Sequence, residues 1–250
     1  MNHRERIMAA FNGQPVDRVP FSFWFHFVKN EDKVDAMEDP GILDALYEGH
    51  RRYINEVQPD FAGFVFAPSK RQVTREEATE LVEQLDPRIH TVGVFVDQPV
   101  DFIAELLAAG VIEYAQLHGS EDAAYIEALR KRTALLGKTA KIIKTVKVGS
   151  AADLENISEI DCEYLLLDAW SKEGEAAGGN GRTFDWSLIK ALEKPFFLAG
   201  GLTVDNVQQA VRMTSPYGID ASSCMETEDC KDLNKMKAFA QAVRVTETNN

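Results

Sequence analysis

Tyr164-Leu-Leu-Leu-Asp168 is a short continuous apolar run that ends on an acid. A glycine-rich segment follows, Gly178-Gly-Asn-Gly181, and closes on Thr183-Phe-Asp-Trp186. Two more such runs come next. Phe196-Phe-Leu-Ala-Gly-Gly-Leu202 ends in glycines, and Gly218-Ile-Asp-Ala-Ser-Ser-Cys-Met225 ends in small polar residues. Fully buried parallel strands read as runs of this kind, and each of these stops at residues that suit a ligand rather than a core. In barrels of alternating strands and helices the chemistry sits at the C-terminal strand ends. The loops after the seventh and eighth strands commonly hold a phosphate. The stretch 164–225 has that layout.

Upstream of it, strand signals fall at Phe61–Phe66, Thr91–Val96, Glu113–Leu117 and Lys141–Val148. Helical signals separate them. One opens on the capping box Thr74-Arg-Glu-Glu77 and runs to Leu85; others cover Pro99–Ala109, Ser120–Leu136 and, more briefly, Ala151–Ile157. Downstream, helices are expected near Trp186–Leu192, Val204–Met213 and Lys231–Val243. At the start of the chain Asn2–Phe11 and Ile42–Val57 read as helices, and the aromatic-rich Val19–Phe27 reads as a strand. Alternating strand and helix implies parallel strands joined by right-handed crossovers. Eight such units in 250 residues predict one α/β domain, a single (β/α)8 TIM barrel over 1–250.

The composition bounds what such a barrel could bind. An apolar content of 45% supports a full core, and a net charge of −13 disfavours nucleic acid or an anionic membrane as partner. An anionic substrate would need local capture by backbone N–H groups and a few Arg or Lys. Cys162, Cys224 and Cys230 show neither metal spacing nor a disulfide framework, which suits a reducing cytoplasm, and no metal or other cofactor is implied. No apolar run is long enough to span a bilayer, and the polar opening Met1-Asn-His-Arg-Glu-Arg lacks a secretory h-region.

From about residue 60 onward the motifs come in a familiar order. They are Gly63-Phe-Val-Phe66 with Ser69-Lys-Arg71, Val92-Gly-Val-Phe-Val96, Gln116-Leu-His-Gly119, Leu166-Leu-Asp168, the segment Gly178–Trp186, Ala199-Gly-Gly-Leu202 and Asp220-Ala-Ser-Ser223. Over 60–250 the chain resembles phosphoribosylanthranilate isomerase of tryptophan biosynthesis. Residues 1–59 do not: the Lys-Ile-Cys-Gly expected for that family's first strand, with its catalytic cysteine, is absent. Val16-Asp-Arg-Val-Pro20 and Tyr53-Ile-Asn-Glu-Val-Gln-Pro-Asp60 are instead similar to the N-terminus of uroporphyrinogen-decarboxylase-like proteins, another barrel family. The resemblance therefore describes a hybrid, one opening βα unit from one family joined to seven from another.

The reaction so implied is an Amadori rearrangement of an N-linked ribose phosphate, which needs an acid at the ring oxygen and a base at C2′. By resemblance Asp168 is the acid, Arg71 grips the anthranilate carboxylate through its bidentate fork, and Gly200, Gly201, Ser222 and Ser223 cradle the phosphate. Burial at the strand end is expected to help Asp168 keep its proton. Cys224 stands where the family carries a glycine after Ser223, and Asp229 stands where another glycine is expected. Gln116, His118 and Asp185 could line the pocket, with structural hydrogen bonding the better reading for the last two. His26 sits near the place of the missing cysteine and is the candidate base; Cys224 is the alternative thiol. The partners implied are a small phosphorylated substrate and, at most, a second copy of the chain as a homodimer. A catalytically silent phosphate-binding barrel, an isomerase of another ribose phosphate and a decarboxylase are the rival readings.

Overall fold

The computed structural model describes the strand at 21–24 and residues 57–69, 71–169, 183–190, 192–227 and 230–245. Its strands are β1 (Phe21–Trp24), β2 (Phe61–Val65), β3 (His90–Phe95), β4 (Tyr114–Leu117), β5 (Lys141–Val148), β6 (Tyr164–Ala169), β7 (Phe196–Leu198) and β8 (Gly218–Ala221). From β2 to β8 each pairs in parallel with the next. β1 pairs in parallel with β2 on one side and with β8 on the other, which closes the strand order into a ring. Parallel neighbours need a crossover, and α1 (Arg75–Glu83), α2 (Val100–Ala109), α3 (Ala123–Leu135) and α4 (Val207–Thr214) lie in those from β2 to β3, β3 to β4, β4 to β5 and β7 to β8, while α5 (Leu233–Val245) follows β8.

Strand parity divides the core in two. Ala62, Phe64, Phe95, Ala115, Leu117, Ile142, Leu165, Leu167, Leu198 and Ile219 pack outward against the helices. Phe61, Val92, Tyr114, Ile143, Tyr164, Leu166, Phe197 and Tyr217 fill the interior, where the rings of Tyr164 and Phe197 meet edge to face at 5.5 Å. The interior is therefore a packed aromatic plug below the C-terminal strand ends rather than a channel.

The capping box at α1 is formed as its residue pattern predicts. Thr74 Oγ1 accepts from the Glu77 N–H at 3.1 Å, and Glu77 Oε2 accepts from the Thr74 N–H at 2.6 Å. Thr74→Ala is expected to cost about 1 kcal/mol, a fall of about 2–4 °C in Tm by thermal denaturation, with turnover unchanged.

Two predicted helices are not α-helices. Ala151–Ile157 resolves into two 3-10 turns, Ala151–Leu154 and Ile157–Glu159, parted by Asn156 at φ +57°. An L-residue in that left-handed region interrupts the helical ladder. The helix expected at Trp186–Leu192 is a single 3-10 turn, Trp186–Leu188, after which Ile189 is extended. The predicted helix Asn2–Phe11, all but the last residue of Ile42–Val57, and His26 lie outside the described residues. Among those described, no helix is long and apolar enough to cross a membrane.

Candidate active site

At the C-terminal strand ends Arg71, His118, Asp168, Gly200, Gly201, Asp220, Ser222, Ser223 and Cys224 line one cavity. The sequence-derived acid, the proposed clamp and both halves of the proposed phosphate cradle thus face a common space. Gln116 lies one layer deeper, among Phe61, Val92, Ile143 and Leu166, with its amide Nε2 3.3 Å from His118 Nδ1. Asp185 is away from the cavity: its carboxylate accepts from the Ser187 N–H and caps the short turn there. Asp229 lies outside the described residues, as does the glycine-rich segment 178–181.

Asp168 faces inward because it shares parity with Tyr164 and Leu166, while Leu165 and Leu167 point at the helices. Its carboxylate is buried, with only 9% of the side chain exposed. Its partner is Lys147, whose Nζ donates to Oδ2 at 2.6 Å. That lysine sits opposite Asp168 in the parallel register of β5 and β6, so the pairing follows from strand alignment. The same Nζ lies 2.6 Å from His118 Nε2. Burial first, and then the Lys147 ammonium, pushes the His118 imidazole down to about 4. A neutral ring with Nε2 free to accept fits that geometry, leaving its proton on Nδ1 toward Thr145 Oγ1 at 3.1 Å.

A second charged group closes the cavity's other side. Arg71 donates to Glu226 from Nε at 3.0 Å and from Nη2 to both carboxylate oxygens at 2.8 Å. Lys231 Nζ reaches the same carboxylate at 2.9 Å and also bonds the Ser222 carbonyl and hydroxyl. Burial alone would raise the Glu226 carboxyl; Arg71 and Lys231 outweigh it and hold it at about 2. Lys231 thereby ties the loop after β8 to the guanidinium from the loop after β2. Cys224, by contrast, is pushed up to about 11 by burial, so its thiol stays protonated near neutrality and is a poor base.

Gly200 packs against the end of β6. It adopts φ +82°, and a Cβ there would lie 2.5 Å from the Ala169 backbone nitrogen and 2.8 Å from Asp168 Oδ1. Gly200→Ala is expected to cost about 1–3 kcal/mol through backbone strain. It should also displace Asp168, so thermal denaturation and turnover should both fall.

Comparison with known proteins sets this cavity in a family. The model for N-(5′-phosphoribosyl)anthranilate (PRA) isomerase matches residues 50–242. The chain belongs to the PRA isomerase family. One relative, the N-(5′-phosphoribosyl)anthranilate isomerase of a Thermoanaerobacter species, is 39% identical over 194 residues, 77% of this chain and 91% of that protein. The crystal structure of phosphoribosyl anthranilate isomerase from Thermotoga maritima superposes with a TM-score of 0.71 at 28% identity, covering 91% of this chain and 99% of that one. Another solved isomerase of the family, in complex with reduced 1-(o-carboxyphenylamino)-1-deoxyribulose 5-phosphate, matches with a TM-score of 0.67 at 27% identity, over 91% and 99%.

Within the PRA isomerase frame, three residues that pair with cavity-lining groups are not among the candidates the sequence yields. Lys147 reads from the sequence only as part of a strand, although its inward parity with Ile143 and Thr145 near the strand's end is a usable signal. Glu226 and Lys231 gave none, because their partner Arg71 is 155 positions from Glu226 along the chain. Among the described residues no group of three or more His, Cys, Asp or Glu could hold a metal ion.

Proposed function

We propose that this protein is a phosphoribosylanthranilate isomerase, an intramolecular aldose–ketose isomerase that carries out the Amadori rearrangement of N-(5′-phosphoribosyl)anthranilate in tryptophan biosynthesis. The observation that carries the reading is the single cavity in which Asp168, Arg71, Gly200–Gly201 and Ser222–Ser223 meet. In this reading Asp168 protonates the ring oxygen and the furanose opens. The phosphate rests on backbone N–H groups of the loops after β7 and β8. Arg71 receives the anthranilate carboxylate through Nη1, which its pair with Glu226 does not use. Gln116, in the layer below, acts on the substrate side through His118. The base comes from the opening unit, where His26 stands in place of the family's cysteine.

The wider frame is a complete (β/α)8 barrel in one domain, with residues 1–59 as a uroporphyrinogen-decarboxylase-like first unit and 60–250 as the isomerase-like remainder. Support for it comes from the parallel pairing of β1 with both β2 and β8. A cytoplasmic location fits the absence of metal-spaced or disulfide-patterned cysteines in the sequence, and a monomer or homodimer fits a family whose solved structures include monomers of the dimeric Thermotoga maritima isomerase.

The test is the decay of phosphoribosylanthranilate fluorescence. Purified protein should accelerate it in proportion to enzyme concentration. Tight binding of the reduced product analogue without any acceleration would favour the silent phosphate-binding barrel instead.

A further inference from the structure

Lys147 is the residue that joins the two proton-carrying groups of the cavity. Its Nζ lies 2.6 Å from Asp168 Oδ2 and 2.6 Å from His118 Nε2, while Asp168 and His118 lie 3.7 Å apart and meet chiefly through it. Its side chain is 29% exposed, against 9% and 6% for Asp168 and His118, so it is the member of the trio most accessible to solvent, while its two partners line the cavity. The nearby Lys144 is committed elsewhere, to the Gly119 carbonyl and Glu121. An acid at the ring oxygen must hold a proton when it acts, yet Asp168 is drawn into an ion pair. In that pair Lys147 Nζ is the donor.

We propose that Lys147 is a positioning residue for the acid: it orients the Asp168 carboxylate and hands it the proton that reaches the ring oxygen. The proposal rests on the isomerase reading above. As the substrate closes over the pair and removes water, an Nζ–H bond breaks with its electrons left on nitrogen, and an O–H bond forms on Asp168. That O–H bond then breaks as the ring oxygen takes the proton. The C1′–O bond cleaves onto oxygen, and the anilino lone pair forms C1′=N. The amine left at Lys147 stays hydrogen-bonded between carboxyl and imidazole. It regains a proton from solvent water as the base releases the proton taken from C2′, so the cycle is neutral overall.

The experiment compares wild type with Lys147→Ala, Lys147→Arg and Asp168→Asn in phosphoribosylanthranilate turnover, with and without added methylammonium. Lys147→Ala should lose about 100-fold in kcat with KM nearly unchanged. Lys147→Arg should do no better, because a guanidinium keeps the charge but does not release its proton. Methylammonium should restore Lys147→Ala saturably and leave Asp168→Asn unaffected, which separates lost chemistry from lost folding. Full activity in Lys147→Ala, or rescue by arginine, would overturn the proposal while leaving the isomerase reading standing. Wild-type turnover no faster than that of Asp168→Asn would overturn both.

Discussion

Asp168→Asn should lower kcat by about 1,000-fold while leaving KM within about twofold, measured as phosphoribosylanthranilate fluorescence decay at saturating and limiting substrate. Asparagine matches the carboxyl in shape and keeps a hydrogen-bonding oxygen toward Lys147, but it has no acidic proton to give. The interaction removed is one made only as the ring oxygen takes charge, so kcat and kcat/KM should fall together. The fold should survive. Lys147 loses its anionic partner, yet with 29% of its side chain exposed it can hydrate in place. A modest loss confined to KM would mean that Asp168 binds substrate without protonating it.

Glu226→Ala should produce the largest loss of stability. Glu226 lies between Arg71 and Lys231, whose side chains are 11% and 0% exposed. Truncating it leaves two buried like charges with no carboxylate between them, and breaking a buried pair from one side typically costs about 3–5 kcal/mol. In a chain of this size that is a fall on the order of 10 °C in Tm. Adding Lys231→Met to Glu226→Ala should recover part of the loss, since one stranded cation is removed. The same network sets an acid limit. Glu226 is held at about 2 against an ordinary 4.5, a depressed carboxyl, so its contribution is complete above 4.5 and is lost as pH falls toward 2. Glu226→Gln should flatten the acid limb of stability in that window, as followed by thermal melts at a series of pH values.

How much of this was legible beforehand differs between elements for physical reasons. The runs at 164–168, 196–202 and 218–225 could be read because a strand buried on both faces must be apolar throughout, so its end is marked by the first residue that is not. Which face Asp168 takes could not be read from a run apolar throughout; the sheet turns it inward, in parity with Tyr164 and Leu166. Thr74 and Glu77 could be read because a capping box is local, closed within four residues. The turns at 151–159 misled because Ser150 and Asp153 supply a helix-start signal, while the positive φ at Asn156 depends on how the chain returns to β6. Arg71 was legible as a cavity residue but not as one already engaged, since Glu226 reaches it from 155 positions further along the chain. Lys147 was hidden for a subtler reason. In Lys141-Ile-Ile-Lys-Thr-Val-Lys-Val148 three lysines interrupt one strand; parity parts Lys147 from Lys144, but only the sheet shows that Lys147 meets Asp168 and Lys144 braces Glu121.

A crystal structure of the protein with reduced 1-(o-carboxyphenylamino)-1-deoxyribulose 5-phosphate would test the shared cavity most directly. The phosphate should accept from backbone N–H groups of Gly200, Gly201, Ser222 and Ser223 at about 3 Å, with the opened sugar against Asp168 and the aryl carboxylate on Arg71. A phosphate bound away from those loops, or a sugar chain beyond hydrogen-bond reach of Asp168, would contradict the account.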